Sequence, residues 1–106
     1  MNIGQIAKMA QQMQAQMAQA QQELAETTLE ATVGGGAVRV IITGAQEVRS
    51  VEIDPSAVDP EEVEMLQDLV MTAINEAIGR SKALERERMA TIAGGMPGMP
   101  GLPGFG

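Results

Sequence analysis

Arg80, Lys82, Arg86 and Arg88 are the residues whose type and spacing most readily suggest chemistry. Residues 79–88 hold four bases against two acids, the one net-positive segment in a chain of formal net charge −7. Such a cluster can neutralise phosphates and release their counterions, which makes it the first candidate for a nucleic-acid contact. A plainer explanation stands beside it: cations complement the negative end of a helix dipole, and Glu76 precedes Arg80 in the favoured salt-bridge order. Arg39 and Arg49 fall in predicted strands, where they reach a backbone phosphate if they face outward or else protect an edge. Lys8 lies on the first helix, where it can flank a groove. Asp59, Glu61, Glu62, Glu64 and Asp68 form an acidic cluster, but without the Gly-containing ligand loop of a calcium site. The chain has no His and no Cys, so the commonest general base, thiol nucleophiles, Cys metal ligands and disulfides all drop out. No enzyme activity, cofactor or metal is expected. A single Phe leaves no aromatic platform for stacked bases.

These side chains need a scaffold, and the hydrophobic pattern supplies one of the α+β class. Ile3, Ile6, Ala10, Met13, Met17, Ala20 and Leu24 recur at alternating steps of three and four, the seam of a coiled-coil-like helix with Gln on its wet faces. At 1.5 Å per residue this helix is roughly 30–35 Å long, more than a small sheet covers. Its seam is expected to pack on the second helix of the chain, on another copy, or on both. Residues 27–33, 38–43 and 47–54 alternate as strands of an antiparallel meander. Val38, Val40 and Ile42 share one face of the second strand, and Val51 and Ile53 share one face of the third. Gly34-Gly35-Gly36 lacks the Lys-Ser/Thr ending and following helix of a phosphate loop, so it is expected to be a loose hairpin turn. Gly44 is expected to provide positive φ in the turn at Gly44-Ala45-Gln46. Asp59-Pro60-Glu61-Glu62 reads as the start of a second long helix, with Asp59 as cap, Pro60 at the first helical position and Glu62 in a capping box. Its apolar stripe is Val63, Leu66, Val70, Ala73, Ala77 and Leu84, widened by Leu69, Ile74 and Ile78, and Gly94-Gly95 is expected to stop it.

Residues 1–93 therefore form a single expected domain, and residues 94–106, rich in Gly, Pro and Met, a disordered tail whose Met and Leu residues offer a weak docking strip. Apolar residues make up 44% of the chain but lean on Ala and Met. A core of that material is thin, and oligomerisation is the expected remedy. No signal peptide or apolar stretch of spanning length is apparent, which predicts a cytoplasmic protein without a membrane partner.

Gly44, Val51-Glu52-Ile53-Asp54-Pro55, Leu66-Gln67-Asp68-Leu69 and Ala73-Ile74-Asn75-Glu76-Ala77 resemble the YbaB/EbfC family of bacterial nucleoid-associated proteins. So do Met9-Ala10-Gln11-Gln12-Met13-Gln14 and the tail. Gln67 departs from the Glu expected in the Leu-Glu-Asp-Leu pattern. The resemblance implies a tweezer-like homodimer that binds double-stranded DNA with little or loose sequence preference. It implies a place in nucleoid organisation and gene regulation, with replication or recombination proteins as further partners. On this view Ile3, Ile6, Ala10, Met13, Met17, Leu24, Val40, Ile42, Val51 and Ile53 are the candidate packing or dimer residues. The competing expectation is a chaperone-like helix–β–helix interaction module, motivated by Met9, Met13 and Met17.

Overall fold

The computed structural model describes residues 2–94. Helix α1 spans Ile3–Glu26, strands β1, β2 and β3 span Thr28–Val33, Val38–Thr43 and Val48–Ile53, and helix α2 spans Val63–Gly94. The α+β order expected from the sequence is the order found. The tail expected at 94–106 lies outside the described residues, except Gly94, which belongs to α2.

The sheet is antiparallel with strand order β1-β2-β3, so β2 is central. Leu29, Ala31 and Val33 of β1 stand opposite Ile42, Val40 and Val38, and these share the face that α2 covers. Ala31, Val38, Val40 and Ile42 are fully buried with Ala73 and Ala77 of α2, and Leu66, Leu69, Val70, Ile74 and Ile78 close the rim. The two alanines let the helix axis approach the sheet. Each fully buried Val or Ile contributes about 1.5–3 kcal/mol relative to exposure.

Strand β3 departs from simple alternation. Val38 pairs with Ile53, Val40 with Val51, and Ile41 with Ser50, but Ile42 then pairs with Val48. Arg49 is the extra residue of a bulge, and the bulge brings Val48 onto the same face as Val51 and Ile53. That face is only partly covered: Val51 and Ile53 remain 41% and 39% exposed.

Three local expectations need adjustment. Thr27 caps α1 instead of opening β1, its N–H donating to the Glu23 carbonyl at 3.0 Å and its hydroxyl at 2.7 Å. Helix α2 begins at Val63, not at Pro60 after an Asp59 cap; the Asp59 carboxylate accepts the Glu61 N–H at 2.9 Å and Glu62 N–H donates to the Asp59 carbonyl. The residues 59–62 thus form a separate turn, after which Val63 continues as helix. Gly44 does not supply positive φ; Gln46 does, at 59°. Glycine is needed at 44 for closeness, since a Cβ there would lie 2.8 Å from Leu24 Cδ2 and 2.9 Å from the Leu24 carbonyl oxygen. The Gly34-Gly35-Gly36 turn is as expected, with φ of 64°, 66° and 98° in succession.

The seam of α1 is buried only at its end, where Ala20 and Leu24 meet the rest of the fold. Ile3 is 83% and Ile6 52% exposed. The projecting helix ends give a body of 70 × 28 × 16 Å.

Candidate nucleic-acid interface

The hairpin turn between β2 and β3 holds both helices in place. Gly44 N–H donates to the carbonyls of Leu24 at 2.9 Å and Thr27 at 3.0 Å, which ties down the end of α1. Ser81, fully buried on α2, donates its hydroxyl to the Thr43 carbonyl at 2.6 Å and accepts the Gln46 side-chain amide at 2.9 Å. The Gln46 backbone N–H reaches the same hydroxyl at 3.2 Å. Ser81 is not among the residues that the sequence pattern singles out, although it continues the Ala73, Ala77 spacing by one more helical turn. A hydroxyl on an apolar stripe is the signal that marks it.

Beyond this anchor, α2 carries the basic segment alongside α1. Arg88 Nη1 lies 2.7 Å from Glu23 Oε2 and joins the two helices. Arg80 Nη2 lies 3.0 Å from Glu76 Oε1, the pair anticipated from the spacing, while Nη1 donates to the Glu30 carbonyl at 3.3 Å. Lys82 and Arg86 are exposed, four residues apart on one helix face, and make no ion pair among the described residues. Lys8 is likewise exposed and unpaired among them, on the projecting part of α1.

The strand arginines stand in a different setting. Arg39 donates through Nε and Nη2 to both carboxylate oxygens of Glu30, at 2.7 and 3.2 Å, and through Nη1 to Glu52 at 2.6 Å. This crosses all three strands on the face opposite α2. The Arg39 hydrogen bond, followed by that of Thr32, holds the Glu30 carboxyl below its ordinary 4.5, and the two carboxylates raise the Arg39 pKa further. Arg49, in the bulge, lies 3.3 Å from Glu47. Exposed ion pairs are weak and exchange readily, so Arg80, Arg88 and Arg49 can turn to another anion. Arg39 has two carboxylates to leave and is the least available.

Among the described residues no three carboxylates converge to hold a metal. Asp59 is occupied with its own turn. An apolar groove of about 520 Å³ runs between the β3 edge and the start of α2, lined by Ile53, Val63, Leu66, Val70, Met71 and Ile74. No described helix is long and apolar enough to cross a membrane.

The helix–meander–helix architecture is shared with the crystal structure of an uncharacterized protein from Helicobacter pylori. The TM-score is 0.74 at 25% identity, covering 86% of this chain and 95% of that one. At the level of sequence the chain is 51% identical over 96 residues to a nucleoid-associated protein of Chloroflexus aurantiacus, spanning 91% of this chain and 96% of the relative. It is 50% identical over 97 residues to one of Moorella thermoacetica, spanning 89% and 93%. The profile of the YbaB/EbfC DNA-binding family matches residues 1–96, and the chain belongs to that family.

Proposed function

We propose that this protein is nucleoid-associated and binds duplex DNA as a homodimer with loose sequence preference. Its phosphate contacts centre on Lys82 and Arg86. Membership of a DNA-binding family carries the choice of DNA, and the relatives' names favour it over a chaperone-like module. The exposed pair, without an ion-pair partner among the described residues and on the one net-positive segment, supports the location. Arg80 and Arg88 join by exchanging carboxylate for phosphate, and Lys8 and Arg49 flank. With a net charge of −7, the remainder of the surface repels DNA, so binding depends on a local patch and on its duplication in a dimer.

The dimer uses the open edge of β3. Val48, Val51 and Ile53 are exposed on one face, and the adjoining groove reaches α2. A second copy there would extend the sheet and thicken the core. The nucleoid, where replication and recombination proteins work on the same DNA, is the proposed setting.

The test is a titration of unrelated duplexes at several salt concentrations on protein of known mass in solution. Log affinity should fall linearly with log salt, and K82Q/R86Q should reduce the slope by about 0.9 for each phosphate that is no longer neutralised. Absence of binding at low salt would overturn the DNA proposal, and an unchanged slope would clear Lys82 and Arg86. Val51→Lys should shift the dimer toward monomer in equilibrium sedimentation.

A further inference from the structure

The chain contains only two lysines, Lys8 and Lys82. Both are exposed, and neither makes an ion pair among the described residues. Their surroundings differ. On α1 the positions three and four residues either side of Lys8 are Gly4, Gln5, Gln11 and Gln12, so its helix sets no charged side chain beside it. On α2 the corresponding neighbours of Lys82 are Ile78, Gly79, Glu85 and Arg86.

Two of those neighbours matter. A Cβ at Gly79 would meet nothing within 4 Å, so one flank of Lys82 is open to a small molecule. Arg86, one turn on and exposed, is the one arginine without an ion pair among the described residues; Arg39, Arg49, Arg80 and Arg88 each hold a carboxylate. Glu85 makes no ion pair among them either.

The two cations do different chemistry. A guanidinium never gives up its proton in a protein, and its planar fork grips phosphate through two parallel hydrogen bonds. A lysine amine that has lost its proton is a nucleophile. Side chains four residues apart on a helix start about 5–6 Å from one another at Cβ, so these two can share one small ligand. The ligand that suits both carries a phosphate and an electrophilic carbonyl in the same molecule, which is an acyl phosphate.

We infer that Lys82 is a site of acylation by acyl phosphates, with Arg86 as the positioning residue that holds the phosphate. The unprotonated Nζ attacks the carbonyl carbon and forms the N–C bond. The bond from that carbon to the phosphate oxygen breaks, phosphate leaves with the electron pair, and the proton shed by nitrogen goes to it. Lys82 becomes a neutral amide. Given the DNA contact proposed above, on which this consequence rests, acylation removes one phosphate-neutralising charge and lowers the salt slope by about 0.9.

The test treats the full-length protein with acetyl phosphate, without DNA, and follows Lys8 and Lys82 by peptide mass spectrometry. Acetic anhydride, which carries no phosphate, gives the intrinsic ratio of the two rates in the same molecule. Relative to that ratio, acetyl phosphate should favour Lys82 about tenfold, the preference conferred by one charge-assisted hydrogen bond. R86Q should return the ratio to the acetic anhydride value, and inorganic phosphate should slow Lys82 while sparing Lys8. No preference for Lys82, or a preference that survives R86Q, would overturn the inference. Acetylated protein that keeps the parent salt slope on duplexes would overturn the regulatory consequence. The peptide measurements contain no DNA, so they decide the acylation site whether or not the duplex proposal holds.

Discussion

Ser81 Oγ stands 2.6 Å from the carbonyl oxygen of Thr43, and through that bond the middle of α2 is fastened to the end of β2. The same hydroxyl receives two N–H groups of Gln46, whose positive φ bends the hairpin toward it. A buried hydroxyl that donates once and accepts twice is fully satisfied. Removing it deletes these three bonds, while the Gln46 backbone N–H keeps the Thr43 carbonyl at 3.2 Å and the Gln46 side-chain amide keeps the Gly44 carbonyl at 3.0 Å.

Ser81→Ala should therefore destabilise the fold by about 0.5–1.5 kcal/mol, the usual net worth of a lost hydrogen bond where the partners keep another. Urea unfolding should show a lower midpoint with an unchanged slope. An unchanged midpoint would mean that water replaces the hydroxyl at no cost.

Gly44→Ala should be destabilising for a different reason. The new methyl would meet both a side-chain atom and the backbone carbonyl of Leu24 inside 3 Å, and overpacking of this kind costs about 1–3 kcal/mol. Leu24→Ala in the same chain relieves the clash with Cδ2 but not that with the carbonyl. The double variant should thus show a favourable coupling that is smaller than the full Gly44→Ala penalty, measured as a thermodynamic cycle.

Arg39→Gln should leave the salt dependence of duplex binding close to that of the parent, because Arg39 is held by Glu30 and Glu52. Lys82→Gln should flatten it. Anisotropy titrations of the two variants side by side give the comparison, and a slope that falls in Arg39→Gln would place the sheet face on the DNA.

The Glu30 carboxyl is held below 4.5 in the fold, chiefly by the hydrogen bond from Arg39. A carboxylate with a depressed pKa binds fewer protons folded than unfolded. Its contribution to stability is thus present above the unfolded value and is lost as pH falls from about 4.5 through the folded pKa. Asp54 acts in the same direction below 3.8, through the Ser56 N–H and then its hydroxyl. Glu30→Gln should show a shallower loss of melting temperature between neutral pH and pH 3 than the parent. An identical pH profile would remove Glu30 as a contributor.

The strand faces are legible in the sequence because Val38, Val40 and Ile42 alternate against a helix rich in alanine, and burial enforces that period. The Glu76–Arg80 pair is legible because helical spacing fixes it. Other features depend on contacts between distant parts of the chain. Gly44 looks like a turn glycine, yet its constraint is Leu24, met only when α1 folds back on the hairpin. The bulge at Arg49 shifts Val48 to the apolar face, and nothing in the strand's own alternation announces it. Arg39 and Lys82 are equivalent as charges in a sequence; carboxylates on neighbouring strands separate them in space. Helix α2 starts later than its sequence suggests because the Asp59 carboxylate, a good cap in isolation, is committed to a turn.

The long, thin shape of the molecule has a consequence for how it behaves in solution. The radius of gyration is 19.7 Å, which a compact globular chain reaches only at about 300 residues. A column calibrated with globular standards will therefore overstate the mass of even a single copy, through friction alone. Shape-independent sedimentation equilibrium is the measurement that counts copies. Rotational diffusion will be anisotropic as well, so amides whose N–H bonds lie along the helices will relax differently from those pointing across the sheet.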